Sequence, residues 1–208
     1  MRTLCVLVCA LVLVPLTASA DTYSTHFFQA SLSPSAEVPT ITASMASGSS
    51  LVRIHIRRSD GGAILQAAVD FDTTLSVVQE QNLTNMHIHV GALGVSGGVV
   101  IDSRFGSPIP VEAGGTARII RQFIVEASNT AGIATVEALL ANPAGYYVNV
   151  HSTMHGPGLA RGQLQPIDLA AILASGAKAE ADLAALNAQM TSMQALLTRI
   201  ALRFSINP

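Results

Sequence analysis

The segment from Leu51 to Arg58 alternates strictly between apolar and polar residues, and this pattern constrains the fold more than any other feature of the chain. Apolar residues share one face of an extended strand and ionisable residues share the other: Val52, Ile54 and Ile56 against Arg53, His55 and Arg57. A period of two is typical of an antiparallel strand with one face in a core. The turn sequence at 59–62 and the renewed alternation over 63–71 together predict a β-hairpin.

Further strands are predicted from short apolar or alternating runs that are separated by Gly, Pro, Asn and Ser. They are Phe27 to Leu32, Leu83 to Val90, Gly98 to Ile101, Thr116 to Glu126, Tyr146 to Ser152 and Ala160 to Gln165. About eight short strands at this spacing predict an all-β fold, and we favour an antiparallel β-sandwich of Greek-key type. An Asn-Thr cap followed by an Ala-rich stretch predicts one short helix over 129–141.

Residues 1–20 have the features of a secretory signal peptide. An apolar run over 4–14 is followed by Pro and by the small-x-small cleavage pattern Ala18-Ser19-Ala20. We therefore expect the protein to be secreted, or periplasmic if its source is a Gram-negative bacterium. Both cysteines, Cys5 and Cys9, lie in this segment, so the exported protein contains no disulfide and depends on its core for stability.

The C-terminal part, residues 167–208, changes to a composition rich in Ala, Leu, Gln and Met, with Asp168 as a candidate N-cap. Six apolar residues recur there at alternating spacings of three and four: Leu183, Leu186, Met190, Met193, Leu197 and Ile200. This seam predicts one long amphipathic helix, with Gly176 as a candidate break, that forms a coiled coil between copies of the chain. We therefore expect a β-sandwich domain over 21–166 and a homo-oligomerisation segment after it.

Composition excludes several classes of function. The net charge is −2, no basic cluster occurs and Trp is absent, so neither a phosphate-binding surface nor a base-stacking platform for nucleic acid is evident. No apolar stretch is long enough to span a membrane. No Cys remains after signal cleavage to act as a nucleophile, and we interpret Glu37, Asp70, Asp72 and Asp102 as single strand-edge or turn residues, which argues against a hydrolase.

Three of the histidines are candidate metal ligands. His87 and His89 fall on one face of a predicted strand, and His151 ends a second strand, on the same face as Asn149. If these two strands are neighbours, three imidazoles converge in a set that suits copper or zinc. His155, in the Gly-rich loop that follows, is a candidate fourth ligand. His-x-His alone is a weak signal, because exposed pairs also occur on strands by chance.

The order of these motifs resembles the CHRD (chordin) domain family. The matching segments are Leu32 with Glu37-Val38-Pro39, His87-Ile88-His89 with Gly91 and Gly98-Val99-Val100, Tyr147-Val148-Asn149-Val150-His151, and Arg161-Gly162-Gln163-Leu164. The resemblance implies a secreted β-sandwich of mostly unassigned biochemical role, found in bacterial exported proteins and in the animal antagonist chordin. It favours a non-catalytic extracellular binding or structural module with an unknown extracellular partner.

The chain is also similar, more distantly, to copper/zinc superoxide dismutase, whose sandwich presents a His-x-His strand, a later Val-x-His strand and an Arg in a Gly-flanked segment. The corresponding residues are His87, His89, His151 and Arg161. This resemblance implies copper as the metal and Arg161 as an anion-attracting residue beside it. No His lies between His89 and His151, so the bridging ligand and the zinc site have no counterpart. The alternative hypothesis is a copper-binding protein or a dismutase-like redox enzyme.

Overall fold

The structure is a computed structural model that describes residues 20–42 and 46–205, with side chains described as far as residue 194. The predicted signal peptide lies outside the described residues except for Ala20, and so do the side chains of Leu197 and Ile200. The chain divides into two compact units, the first ending at Gln165 and the second beginning at Pro166.

The first unit is built from strands, which we number in chain order. They are β1 (Thr22–Leu32), β2 (Ala46–Arg58), β3 (Ile64–Val77), β4 (Gln81–Val90), β5 (Val99–Asp102), β6 (Ile109–Val111), β7 (Thr116–Glu126), β8 (Tyr146–Ser152), β9 (Ala160–Gln163) and β10 (Gln165–Pro166). One sheet has the order β10-β1-β2-β3-β7, and the other has the order β5-β4-β8-β9 with β6 also paired to β4. The prediction of an antiparallel β-sandwich followed by a helix is confirmed.

The alternation in β2 explains how the first sheet faces the core. Val52, Ile54 and Ile56 are almost completely buried, as the pattern predicts. β8 departs from this rule, because all seven of its residues are buried. Its core side carries Val148 and Val150, while its other side is covered by loops. A strand buried on both faces is where a site shielded from water can form.

Three details differ from the sequence prediction. β1 begins at Thr22 rather than at Phe27, because its polar first residues pair with the end of β2 although they bury little. β6 was missed, since it is three residues long and contains Pro110. The predicted segment 160–165 divides into β9 and β10, which belong to different sheets.

The helix predicted over 129–141 is present as α1 (Thr130–Ala141). The side chain of Asn129 caps it by accepting a hydrogen bond from the Gly132 amide at 3.0 Å. Val136 and Leu139 bury one side of the helix against the core.

The second unit is the long helix α2 (Leu169–Ser205), which continues through Gly176. The carboxylate of Asp168 caps it by accepting a hydrogen bond from the Ala171 amide at 3.0 Å. Its apolar seam is exposed, with Leu186 53% and Met190 49% accessible. No helix among the described residues is long and apolar enough to cross a membrane.

Backbone hydrogen bonds join the two sheets where the end of β1 meets β9. The Ser33 amide donates to the Arg161 carbonyl at 3.0 Å, and the Arg161 amide donates back to the Ser33 carbonyl at 3.3 Å. A Cβ on Gly162 would lie 2.3 Å from the carbonyl oxygen of Ser31, which is backbone and cannot rotate away. This junction therefore requires a residue without a side chain.

We predict that Gly162→Ala lowers the free energy of unfolding by about 2 kcal/mol or more, because the two strands must separate to admit the methyl group. Urea denaturation of the purified protein measures this change. Gly106→Ala is the matched control, since a Cβ there meets no atom within 4 Å. An equal loss in both variants would contradict the packing argument.

Candidate metal centre

Three histidines converge on the outer face of the second sheet. β4 and β8 are antiparallel neighbours, with His87 opposite Asn149 and His89 opposite Tyr147. His151 lies opposite Asn85, so it is diagonal to His87. One ring nitrogen from each of the three histidines lies within 4.8 Å of the other two. The strands are thus neighbours, and the structure brings the predicted ligands together.

The distances between the facing nitrogens suit a single ion. His87 Nδ1 lies 3.0 Å from His151 Nε2, and His89 Nε2 lies 3.4 Å from the same atom. Two ligand nitrogens that are each about 2.0 Å from one tetrahedral ion lie about 3.3 Å apart. The rings therefore need little rearrangement to hold a metal.

Backbone carbonyls fix which nitrogen faces the centre of the cluster. The Gly97 carbonyl accepts from His89 Nδ1 at 3.0 Å, and the Gly156 carbonyl accepts from His151 Nδ1 at 2.8 Å. A carbonyl can only accept, so each neutral ring carries its proton on Nδ1 and keeps a lone pair on Nε2. The corresponding outer contact of His87 is between its Nε2 and Asp102 Oδ1, at 3.5 Å.

In this arrangement two nitrogen lone pairs point toward each other. The Nε2 atoms of His89 and His151 are both acceptors, and they face each other at 3.4 Å. Like partial charges at this distance repel in a site that is shielded from water. A cation placed between the two atoms converts that repulsion into two favourable contacts, so the cluster is preorganised for a positive ion.

The same burial keeps the rings neutral. His89 and His151 are 7% and 8% exposed. Burial lowers the pKa of His87 to about 4, with the neighbouring charge of His151 as the next cause. Burial also lowers the pKa of His89 and of His151, although their carbonyl partners act in the opposite direction. Neutral imidazole is the form that binds a metal, and no proton has to leave at neutral pH.

Two loops make this environment, and sequence reasoning missed both roles. Residues 91–98 present the Gly97 carbonyl and residues 153–159 present the Gly156 carbonyl. A Cβ on Gly97 would lie 1.7 Å from the carbonyl oxygen of Val90, so the first loop can pack this closely only with glycine. The Gly-rich composition indicated turns, and nothing in a side-chain pattern marks a carbonyl that orients a histidine.

His155 is not part of the cluster among the described residues. Its side chain lines a separate pocket of about 210 Å³ together with Glu37, Met154 and Gly158. The role of fourth ligand therefore stays a prediction, and the structure does not place His155 where it would act. His55, which we left out of the site, lies on the other sheet and contacts Thr25 and Asp70.

Arg161 lies behind the cluster and is only 1% exposed. Its guanidinium group stacks 3.5 Å from the centre of the Tyr147 ring and donates to the Val95 and Ala92 carbonyls at 3.2 and 3.5 Å. The other contact of the Tyr147 ring is with His89, at 5.0 Å and nearly parallel. The buried position leaves no direct approach for an anion, and the anion-attracting role stays a prediction.

Glu37, which we interpreted as a strand-edge or turn residue, directly follows the short 3-10 helix Pro34–Ala36 and is buried, with 7% of it exposed. Burial raises its pKa to about 7, while the charge of Arg161 and a hydrogen bond from Asn149 act to lower it. The period of two places Tyr147 on the same face of β8 as His151, and the strand register brings it opposite His89. Sequence reasoning could not identify Glu37 as a neighbour of the site, because its contact with Asn149 depends on how the chain folds after β1.

Comparison with known proteins gives one match. A family model for the CHRD domain matches residues 28–164, a range that contains all three histidines, Glu37 and Arg161. No curated protein and no solved structure matched the chain. The similarity to copper/zinc superoxide dismutase therefore rests on the order of a few residues and stays a prediction. The match covers most of the chain, and the protein belongs to the CHRD domain family.

Proposed function

We propose that this protein is an exported, non-catalytic module that binds one copper ion through His87, His89 and His151. The observation that carries the proposal is the set of three neutral imidazoles whose facing nitrogens lie within 4.8 Å of one another. The carbonyls of Gly97 and Gly156 support it, because they direct two lone pairs at one point. CHRD domains occur in extracellular proteins, and the predicted signal peptide favours the same location.

Copper is favoured over other metals by the chemistry of the ligands. Imidazole suits both copper and zinc, and among divalent first-row ions the same site binds Cu²⁺ most tightly. Three protein ligands leave an open position, through which an ion could be accepted from or passed to a partner. A superoxide assay on the copper-loaded protein separates this binding function from the dismutase-like alternative.

The C-terminal helix supports an assembly of several such modules. Its seam residues Leu183, Leu186, Met190 and Met193 are all about half exposed in the single chain. Burying them against the same seam in another copy removes apolar surface from water. Several weakly binding modules held together in this way would engage an extracellular partner through avidity.

We predict that the purified protein retains about one copper ion per chain after dialysis against Cu(II), because the three nitrogens are positioned before the ion arrives. Metal analysis measures the retained copper. The triple variant His87→Ala, His89→Ala, His151→Ala should retain almost none. His26→Ala is the matched control, since that ring is exposed, hydrogen-bonds with Ser24 and lies on β1 of the other sheet. Zinc retention in place of copper would correct the metal, and a parent protein that holds neither ion would overturn the proposal.

The pH dependence of copper binding follows from the lowered pKa values. An imidazole with its ordinary pKa of 6.5 gains a proton and loses copper as the pH falls through that value, whereas the pKa of His87 is about 4. We therefore expect the affinity to change little between about pH 7.5 and about pH 6, and to fall only as the pH approaches the lowered values. Copper competition titrations at several pH values measure it. A steep loss already near pH 6.5 would contradict the expectation.

The assembly is tested with two separate variants, each of which places one glutamate on a different face of α2. Leu186→Glu places a charge in the seam and should convert the oligomer into monomers, while Ala188→Glu, which lies outside the seam, should leave it intact. Analytical ultracentrifugation measures the mass of each variant. A parent protein that is already monomeric would exclude the coiled coil and leave the copper site unaffected.

A further inference from the structure

We propose that Arg161 sets the relative affinity of the site for the two copper ions, favouring Cu(I) over Cu(II). The inference rests on the proposed copper site and adds a specificity-determining residue to it. Arg161 would not contact the metal. Its fixed positive charge would act through the ring of Tyr147, which lies between the guanidinium group and His89.

The contacts of Arg161 keep its charge in place without neutralising it. The group donates to two backbone carbonyls, of Val95 and Ala92, and stacks on Tyr147. It forms no salt bridge with any carboxylate in the described part of the chain. Its guanidinium group lies 3.5 Å from the centre of the Tyr147 ring, and that ring lies 5.0 Å from the ring of His89, so the charge is close to the cluster.

The other charged groups near the cluster offset the positive charge of Arg161 only weakly. The ligands are three neutral imidazoles, so they contribute no negative charge to the bound ion. Asp102 lies 3.5 Å from His87, but 45% of its side chain is exposed, and water screens it. Glu37 is near Arg161, but burial raises its pKa to about 7, so only part of the population is ionised at neutral pH.

The size of the effect follows from Coulomb's law. Cu(II) carries one more positive charge than Cu(I), so a nearby cation disfavours it more. For one unit charge at roughly 10 Å and an effective dielectric constant of about 20, the preference between the two ions changes by about tenfold. A charge on the surface at the same distance would act much less, because solvent and salt screen it.

The test compares the affinities for Cu(I) and for Cu(II), measured by competition with a chelator for each ion. Arg161→Gln should shift the ratio of the two affinities about tenfold toward Cu(II), whereas Arg161→Lys, which keeps the charge, should shift it by less than about threefold. The Cu(II) electron paramagnetic resonance signal per retained copper, recorded in a buffer with a fixed ratio of added ascorbate to dehydroascorbate, gives a second readout. Arg118→Gln is the distant control, since that exposed guanidinium pairs with Asp72 on the other sheet.

A second variant guards against a folding defect in Arg161→Gln. Glu37→Gln removes the buried carboxyl group near Arg161 but leaves the histidines unchanged, and at about pH 8, where Glu37 is mostly ionised, it should shift the ratio toward Cu(I). Unequal shifts of opposite sign in the two variants support the inference. The decisive variant is Arg161→Gln if it folds, and Glu37→Gln if it does not. If the parent binds copper and the decisive variant keeps the parent's affinity ratio within about twofold, the inference alone is overturned. A parent that binds no copper overturns the proposed function with it.

Discussion

The register between β4 and β8 is the constraint on which the site depends. A slip of one residue would turn every side chain of a strand to its opposite face, and the histidines would enter the core. The register is held by the other face of the same strands, where Met86, Ile88, Val148 and Val150 are completely buried. The hydrophobic core therefore fixes the geometry of the candidate metal centre from the opposite face of the same strands.

The sequence predicts this face of the sheet well, because a period of two is a local property of the chain. It places His87 and His89 together and His151 on the same side as Asn149. The neighbouring position of β4 and β8 is not a local property, and no pattern within either strand contains it. The roles of the Gly97 and Gly156 carbonyls are harder still to predict, because every residue type carries the same backbone carbonyl.

The buried charges show a second limit of pattern reasoning. A polar residue opposite the apolar face of a strand is expected at the surface, and no sequence pattern marks Arg161 or Glu37 as buried. Both are buried because loops cover the outer face of β8, so the strand has protein on both sides. Burying a guanidinium group is unfavourable unless its donors find acceptors. The Val95 and Ala92 carbonyls and the Tyr147 ring supply those contacts.

The covering loops thus act on stability and on metal binding in opposite ways. They remove water from three imidazoles and a guanidinium group, which lowers the free energy of unfolding of the protein without metal. The same removal of water would strengthen every electrostatic interaction of a bound ion. An ion that binds only the folded state increases the free energy of unfolding in proportion to the logarithm of its concentration relative to its Kd. Metal binding would therefore offset the stability that is lost when the loops bury these polar groups.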